Sequence, residues 1–312
     1  SAGFAKCGCE CAGGVTAAEA ARDATAVVIG SPVLPGAAGG NGTSAHGTGA
    51  DGRGEDAAGQ DARLRQERKE AGITAILHES APVRFWDHDL GPDQPRLFAV
   101  DSDQVQETEI GWAGGDKEPA LADAAEGAQG AERAVNPARL RDLTPEPGRA
   151  LDGEPFELTP DGASVITGWW TWEPAGESRC ELVAIDVASG KRRVLLSAPE
   201  YDFENPRVSP DGRIIACLRE RHATGRRPID LTVVLLDADA ADAADISEPG
   251  RDLLAGWDRW PNGLAWAHDS SALYLTADDG GRCPVFRVDA GGGEVTRVTA
   301  DDGAYTDLNL SP

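Results

Sequence analysis

The sequence predicts an all-β chain built from repeated four-stranded β-propeller blades, and two observations carry this prediction. The chain of 312 residues contains 38 Gly and 20 Pro, together close to a fifth of the total. So many turn formers disfavour a helical bundle and favour many short strands. In addition, a turn phrase followed by a β-rich run recurs at spacings of about 44 to 58 residues, which is the size of one propeller blade.

The repeated phrase is a tight turn with a physical reason for each residue type. Proline presets φ for the turn, aspartate bonds the backbone beyond it, and glycine accepts a left-handed conformation. β-rich runs follow the phrase at 163–168, 213–218 and 272–276. The copies are T-P-D-G at 159–162, S-P-D-G at 209–212, A-H-D-S at 267–270, and the beginning of a further copy at 307–312.

The remaining strands of each blade lie between these phrases. The run 180–187 is followed by a turn at 188–190 and a second run at 191–196, and 284–289, 290–293 and 294–299 repeat this order. We therefore predict a partial propeller of about three four-stranded blades and the start of another. A β-sandwich with similar turns is the alternative, although it does not require blade-sized spacing.

The predicted domain organisation is an irregular N-terminal end at 1–24 and a partial propeller at 25–312. Flexible insertions are expected near 35–61 and 113–135, where Gly, Ala and acidic residues leave almost nothing to bury. Before and between these insertions the sequence predicts further elements. These are a strand at 25–34, a charged helix at 62–71, and strands at 82–86 and 96–100 around a turn at 87–92.

The charge balance excludes some classes of partner. Lys and Arg number 29 against 53 Asp and Glu, and the net charge is −24. Nucleic acid and anionic membrane surfaces reward basic patches, so neither is expected as a partner. The chain has no apolar run of a membrane-spanning length and no signal-peptide pattern at 1–14, so we expect a cytoplasmic location. It lacks Met and stops within a turn phrase, which suggests a fragment of a longer protein.

The six cysteines give little indication of a metal site or of disulfides. Cys7, Cys9 and Cys11 form C-x-C-x-C, but no second pair at zinc-finger spacing follows. Cys180, Cys217 and Cys283 are isolated in or beside strands, where buried thiols are expected. No metal and no cofactor is expected.

Three segments together resemble a known family. The phrase at 207–218 (R-V-S-P-D-G-R-I-I-A-C-L) is similar to blades of TolB-like and WD40-like propellers and of the prolyl oligopeptidase family of serine peptidases. The segments 82–89 (P-V-R-F-W-D-H-D) and 96–101 (R-L-F-A-V-D) resemble the propellers of bacterial dipeptidyl- and acylaminoacyl-peptidase relatives. The likeness covers about 25–312, apart from the two insertions.

The resemblance implies that the propeller caps a C-terminal α/β-hydrolase domain with a Ser–His–Asp triad and a G-x-S-x-G nucleophile motif. This chain has no such motif, because neither Ser44 nor Ser164 is followed two residues later by Gly. No catalytic residue is therefore predicted here. The parent enzyme would hydrolyse peptides through a catalytic domain encoded beyond Pro312. This chain would gate the access of substrate to that domain.

Two other classes of function remain open. One is a stand-alone TolB-like propeller that binds a protein or a ligand. The other is a propeller enzyme with carboxylate chemistry in its channel, although no spaced acid pair stands out in the sequence. The oligomeric state is not predicted.

Four residues are candidates for channel or substrate contact: Trp169, Trp170, Arg84 and Asp87. The tryptophans are able to line a peptide channel, but such residues more often pack blade against blade. The D-H-D run at 87–89 has the residue types of a metal or acid–base site. A polar turn between two strands is the preferred interpretation of that run.

Overall fold

The computed structural model describes residues 11–22, 26–37, 56–78, 82–85, 88–100, 140–172, 177–238 and 250–310. Within these ranges the chain forms eighteen strands and one helix. Sixteen of the strands make four antiparallel sheets of four strands each. The predicted all-β class is confirmed, and no helix in these ranges has the length and apolar character that a membrane span requires.

Blade 1 is assembled from strands that are distant in sequence. Its strand order is β1-β2-β5-β6, while β3 and β4 form a separate hairpin. The helix α1 lies between β2 and β3 in the chain. The bounds are β1 Ala17–Ala20, β2 Val27–Val33, α1 Ala57–Glu70, β3 Arg84–Phe85, β4 His88–Asp89, β5 Gln94–Val100 and β6 Leu140–Asp142.

Blades 2, 3 and 4 are meanders of consecutive strands, as the repeat predicts. Blade 2 contains β7 Phe156–Leu158, β8 Ser164–Trp172, β9 Ser178–Asp186 and β10 Arg192–Leu196. Blade 3 contains β11 Tyr201–Val208, β12 Ile214–Arg221, β13 Asp230–Asp237 and β14 Arg251–Asp252. Blade 4 contains β15 Pro261–Trp266, β16 Ala272–Ala277, β17 Val285–Asp289 and β18 Thr296–Arg297.

The turn phrase joins the first and second strands of each of these three blades. In blade 3 the buried Ser209 hydroxyl donates to Asp211 Oδ1 over 2.6 Å and accepts from the Ile214 N–H over 2.9 Å. Gly212 has a φ of 75°, which a residue with a side chain rarely adopts. The phrase is therefore a self-contained turn motif, which explains its strength as a sequence signal.

Successive blades pack face to face through apolar side chains. Val28 of blade 1 and Val183 of blade 2 share one core, and Leu182 of blade 2 and Cys217 of blade 3 share the next. A third core joins blade 3 to blade 4. Such stacking, in which each sheet buries its faces against its neighbours, is typical of propeller blades.

The structure corrects the predicted boundaries in blade 1. The blade is a complete fourth sheet that the turn phrase does not mark. Its strand β1 lies in the segment 1–24 that the sequence predicts to be irregular, because pairing of Ala17 with Gly30 fixes it rather than local propensity. The helix begins at Ala57, inside the insertion predicted near 35–61, because Asp56 caps it through the Gly59 N–H.

The helix α1 covers the face of blade 1 that points away from blade 2. Ile29 and Phe98 of the sheet pack there with Ala57 and Leu64. The buried Asp61 carboxylate accepts the Leu34 N–H over 2.8 Å and pairs with Arg65 Nε over 2.8 Å. The helix therefore caps the end of the stack in place of another blade.

We expect the substitution Asp61→Ala to lower the free energy of unfolding by about 2–4 kcal/mol, since it leaves the buried Leu34 N–H without its acceptor and removes one of the two carboxylates that pair with Arg65. Chemical denaturation would measure this loss. The matched change Gln66→Ala removes only an exposed bond to Glu70 on the same helix, and its effect should stay within about 0.5 kcal/mol. Equal effects of the two substitutions would contradict the capping role of Asp61.

Candidate functional site

The first strands of consecutive blades lie beside one another and are linked by side chains. Glu157 Oε2 on β7 accepts the backbone N–H of Val208 on β11 over 2.6 Å. Trp266 Nε1 on β15 donates to the Arg207 carbonyl over 3.0 Å, and Arg207 Nε donates to the Leu264 carbonyl over 3.1 Å. These polar contacts fix the relative positions of the inner strands.

Glu157 is a half-buried carboxylate on the first strand of blade 2. Burial raises its pKa to about 7, while the Val208 N–H and the Arg207 charge oppose the shift and Glu19 adds to it. Burial also raises the pKa of Glu19, against the opposing charge of Arg207. Folding therefore shifts both groups toward the protonated form relative to the unfolded chain.

A second group of ionisable side chains, called here the acidic joint, lies where blades 2 and 3 meet. Its members are Glu154 before β7, Asp202 and Glu204 on β11, and Glu220 and His222 at the end of β12. Asp202 Oδ1 accepts the Cys180 N–H of blade 2 over 2.7 Å. Asp202 Oδ2 lies 2.8 Å from His222 Nε2.

Burial and mutual repulsion raise the pKa values of two carboxyl groups of the acidic joint, Glu154 and Glu204. Burial raises the pKa of Glu154 to about 7, with Glu204 and Asp202 adding repulsion and the Trp170 indole opposing it. Burial and the charges of Asp202 and Glu220 raise the pKa of Glu204 to about 7. The joint can therefore gain and lose protons near neutral pH.

The chemistry available in the acidic joint is limited to proton exchange and to contacts with donors or cations. The described part of the chain contains no group of three or more His, Cys, Asp or Glu side chains arranged to hold a metal ion. Asp202 and His222 have the geometry of an acid–base pair, but no described hydroxyl bonds to this imidazole. A nucleophile–base–acid triad is thus not assembled in these residues.

No described contact joins the side chains of the three predicted contact residues that the structure describes. Trp170 contacts the acidic joint, because its Nε1 donates to Glu154 Oε1 over 2.7 Å. Trp169 lies on the other face of β8, packs against the core between blades 1 and 2, and has the Arg192 guanidinium 3.9 Å from its ring. The packing interpretation fits Trp169, and peptide contact by either tryptophan stays a prediction.

Of the other two candidates, Arg84 has no described contact with the acidic joint. Arg84 is exposed on β3 and sits 3.5 Å from Asp89 of β4. No described contact joins Arg84 to either tryptophan. Asp87 lies outside the described residues, as do Cys7 and Cys9.

Sequence reasoning missed the members of the acidic joint. Glu154 and Asp202 come from different blades, so no local spacing connects them. One weak signal exists in the segment Y-D-F-E at 201–204, where two acidic residues alternate with two aromatic ones. The cysteine prediction holds for Cys180 and Cys217, which are buried thiols, whereas Cys283 is only half-buried.

Several solved structures are similar to this chain. An acylaminoacyl peptidase from Pyrococcus horikoshii shares 10% identity over 92% of this chain and 32% of its own, with a TM-score of 0.49. The β-propeller domain of the trilobed protease from Pyrococcus furiosus shares 10% identity over 92% and 55%, with a TM-score of 0.44. A puromycin hydrolase shares 22% identity over 66% and 27%, with a TM-score of 0.39.

The chain spans about a quarter to a third of the length of the first solved proteins it matches. No protein-family model matches the chain, and no curated protein does so either. Its class is therefore defined by its own four sheets: an all-β stack of propeller-type blades with ionisable side chains between the blades.

We expect Glu157→Gln to change how stability depends on pH. In the wild type the carboxyl pKa rises from near 4.5 in the unfolded chain to about 7 in the folded one. The stabilisation is complete below pH 4.5 and is lost as pH rises through 7. The amide stays neutral, so the variant should gain about 1–3 kcal/mol relative to the wild type between pH 5 and pH 8.

Chemical denaturation at these two pH values measures the difference. The control Glu177→Gln changes an exposed carboxylate just before β9, and its pH profile should follow the wild type. A Glu157→Gln profile parallel to the wild type would show that Glu157 is ionised throughout this range.

Proposed function

We propose that the chain is the non-catalytic propeller portion of a serine peptidase of the prolyl oligopeptidase type. In this proposal the blades gate the access of peptides to an α/β-hydrolase domain encoded beyond Pro312. The protein acts in the cytoplasm, where a reducing environment keeps Cys180 and Cys217 as thiols. Peptide substrate is its partner through that catalytic domain.

One observation carries the proposal. The blade phrase at 207–218, which resembles this peptidase family, occupies the turn between β11 and β12 in a stack of four blades. The described residues contain no serine nucleophile paired with His222, the imidazole of the acidic joint. A filter role needs the stack and its channel-side residues, and it needs no nucleophile of its own.

The alternative is a stand-alone TolB-like propeller that binds a protein or ligand. It is favoured by the same blades and by the lack of a triad in the described residues. The two functions differ in what the reading frame encodes after Pro312, so sequencing the coding region decides between them. A run of further blades and then G-x-S-x-G supports the peptidase proposal, whereas a stop after propeller closure supports the binding module.

We predict that this chain by itself does not hydrolyse aminoacyl or peptidyl p-nitroanilides and does not react with a fluorophosphonate probe. The reason is that the proposed nucleophile lies in another domain. Spectrophotometric assay and gel fluorescence measure the two outcomes. Hydrolysis above background, abolished by Glu154→Gln, would instead support carboxylate chemistry within the propeller.

We also predict that Trp170 contributes to peptide contact. Trp170→Ala should weaken binding of a tryptophan-free peptide about fivefold, the ratio that corresponds to loss of roughly 1 kcal/mol. Isothermal titration calorimetry measures this change. Trp260→Ala serves as the control, because Trp260 lies directly before β15 and is 56% exposed. Equal affinities for the wild type and Trp170→Ala would remove Trp170 from the proposed channel.

A further inference from the structure

The acidic joint places four carboxyl groups and one imidazole between two blades. Glu154 precedes the first strand of blade 2, and the other members lie on the first two strands of blade 3. Asp202 crosses the joint, since it accepts the Cys180 N–H of β9 while it contacts His222 of its own blade. The joint is thus part of the interface that holds blade 2 against blade 3.

Glu154 is held in a site that does not satisfy both carboxylate oxygens. Its Oε1 accepts the Trp170 indole N–H, but its Oε2 is buried without a hydrogen-bond partner. A Cβ atom at Gly168 would lie 2.0 Å from this Oε2, so only glycine leaves room for the carboxyl group. An ionised carboxylate in this position has an unsatisfied buried oxygen, which is costly.

The neighbouring cations do not neutralise the joint. Within the joint the His222 imidazole contacts Asp202, with Nε2 2.8 Å from Oδ2. The arginines on the adjacent strands are paired with other carboxylates: Arg179 with Glu181, Arg219 with Asp252, and Arg221 with Asp230. The charges of Glu204 and Asp202 add to the raised pKa of Glu154, and those of Asp202 and Glu220 add to the raised pKa of Glu204.

We propose that the acidic joint is a pH-dependent hinge between blades 2 and 3. When Glu154 and Glu204 are protonated, the strand ends close over Cys180. When both are ionised, repulsion across the interface opens this end of the joint. The apolar core between the same blades, which contains Cys217, stays closed in both states. The hinge does not depend on the peptidase proposal.

The position of the hinge transition follows from burial. Burial raises the pKa values of Glu154 and Glu204 to about 7, so both protons are lost over the same pH range. Burial and the charge of Asp202 also raise the pKa of Glu220, and His222 opposes this shift. Glu154, Glu204 and Glu220 titrate as a coupled set, so the opening should be seen as one broad step around neutral pH.

Thiol alkylation tests the hinge, since Cys180 lies at the joint and Cys217 lies in the core of the same interface. Both are buried thiols, and burial raises the pKa of each. The charges of Glu154, Glu204 and Asp202 raise the Cys180 pKa further, so their ionisation by itself slows alkylation at Cys180. A rise in the ratio of the Cys180 rate to the Cys217 rate with N-ethylmaleimide therefore reports local opening. Peptide-resolved mass spectrometry measures the ratio on the full chain from pH 5.5 to 8.5.

The rate of Cys180 alkylation relative to Cys217 should rise about tenfold across this range in the wild type. In the double variant Glu154→Gln/Glu204→Gln it should stay constant. The single variant Glu204→Gln should halve the dependence of this rate ratio on pH. Because it changes one group only, it keeps the test informative if the double variant misfolds. Glu19→Gln alters a carboxyl group of raised pKa outside the joint, so it should leave the rise intact.

Other outcomes overturn the hinge. A constant ratio in the wild type means that the joint does not open between pH 5.5 and 8.5. A rise that persists in the double variant means that groups other than Glu154 and Glu204 control the opening. A parallel increase in both alkylation rates beyond the thiolate effect means that the whole chain unfolds rather than the joint.

Discussion

Each inner sheet of this chain has to bury both of its faces, and the rest of the architecture depends on this requirement. On β8, Val165 packs toward blade 1, while the next residue, Ile166, packs toward blade 3. On β12, Ile215 and Ala216 divide in the same way between blades 2 and 4. The strands are therefore apolar without alternation, and they are stable only with a neighbour on each side.

The two ends of the described stack meet this requirement differently. At blade 1 the helix α1 covers the outer face, and Asp61 and Arg65 fix the helix to the strand ends. In blade 4 the third strand carries Arg287 two residues before its final aspartate, where blade 3 has the buried Leu235. Arg287 pairs with Asp289 over 2.7 Å. This face of blade 4 is more polar than the interblade faces.

Local interactions determine how much of this fold the sequence could predict. The turn at 209–212 is built from bonds within five residues of chain, so its phrase marks the blade directly. Strand β1 has no such signal, because its position depends on pairing with β2 across the sheet. The acidic joint could not be predicted for the same reason: Glu154 and Asp202 meet only after blades 2 and 3 have packed. Trp169 and Trp170 are neighbours in the sequence, but their side chains lie on opposite faces of β8.

Two glutamates, Glu154 before β7 and Glu157 within it, show why burial alone does not define a role. Glu157 has a backbone N–H as a partner for Oε2, and the Arg207 charge opposes its shift. In Glu154, Oε1 accepts a hydrogen bond from the Trp170 indole, while Oε2 is buried without a hydrogen-bond partner. The charges that act on Glu154 come from Glu204 and Asp202, and both raise its pKa. Loss of a proton from Glu157 leaves a bonded carboxylate between two strands. Loss of a proton from Glu154 leaves an unsatisfied charge that the fold can relieve only by movement at the joint.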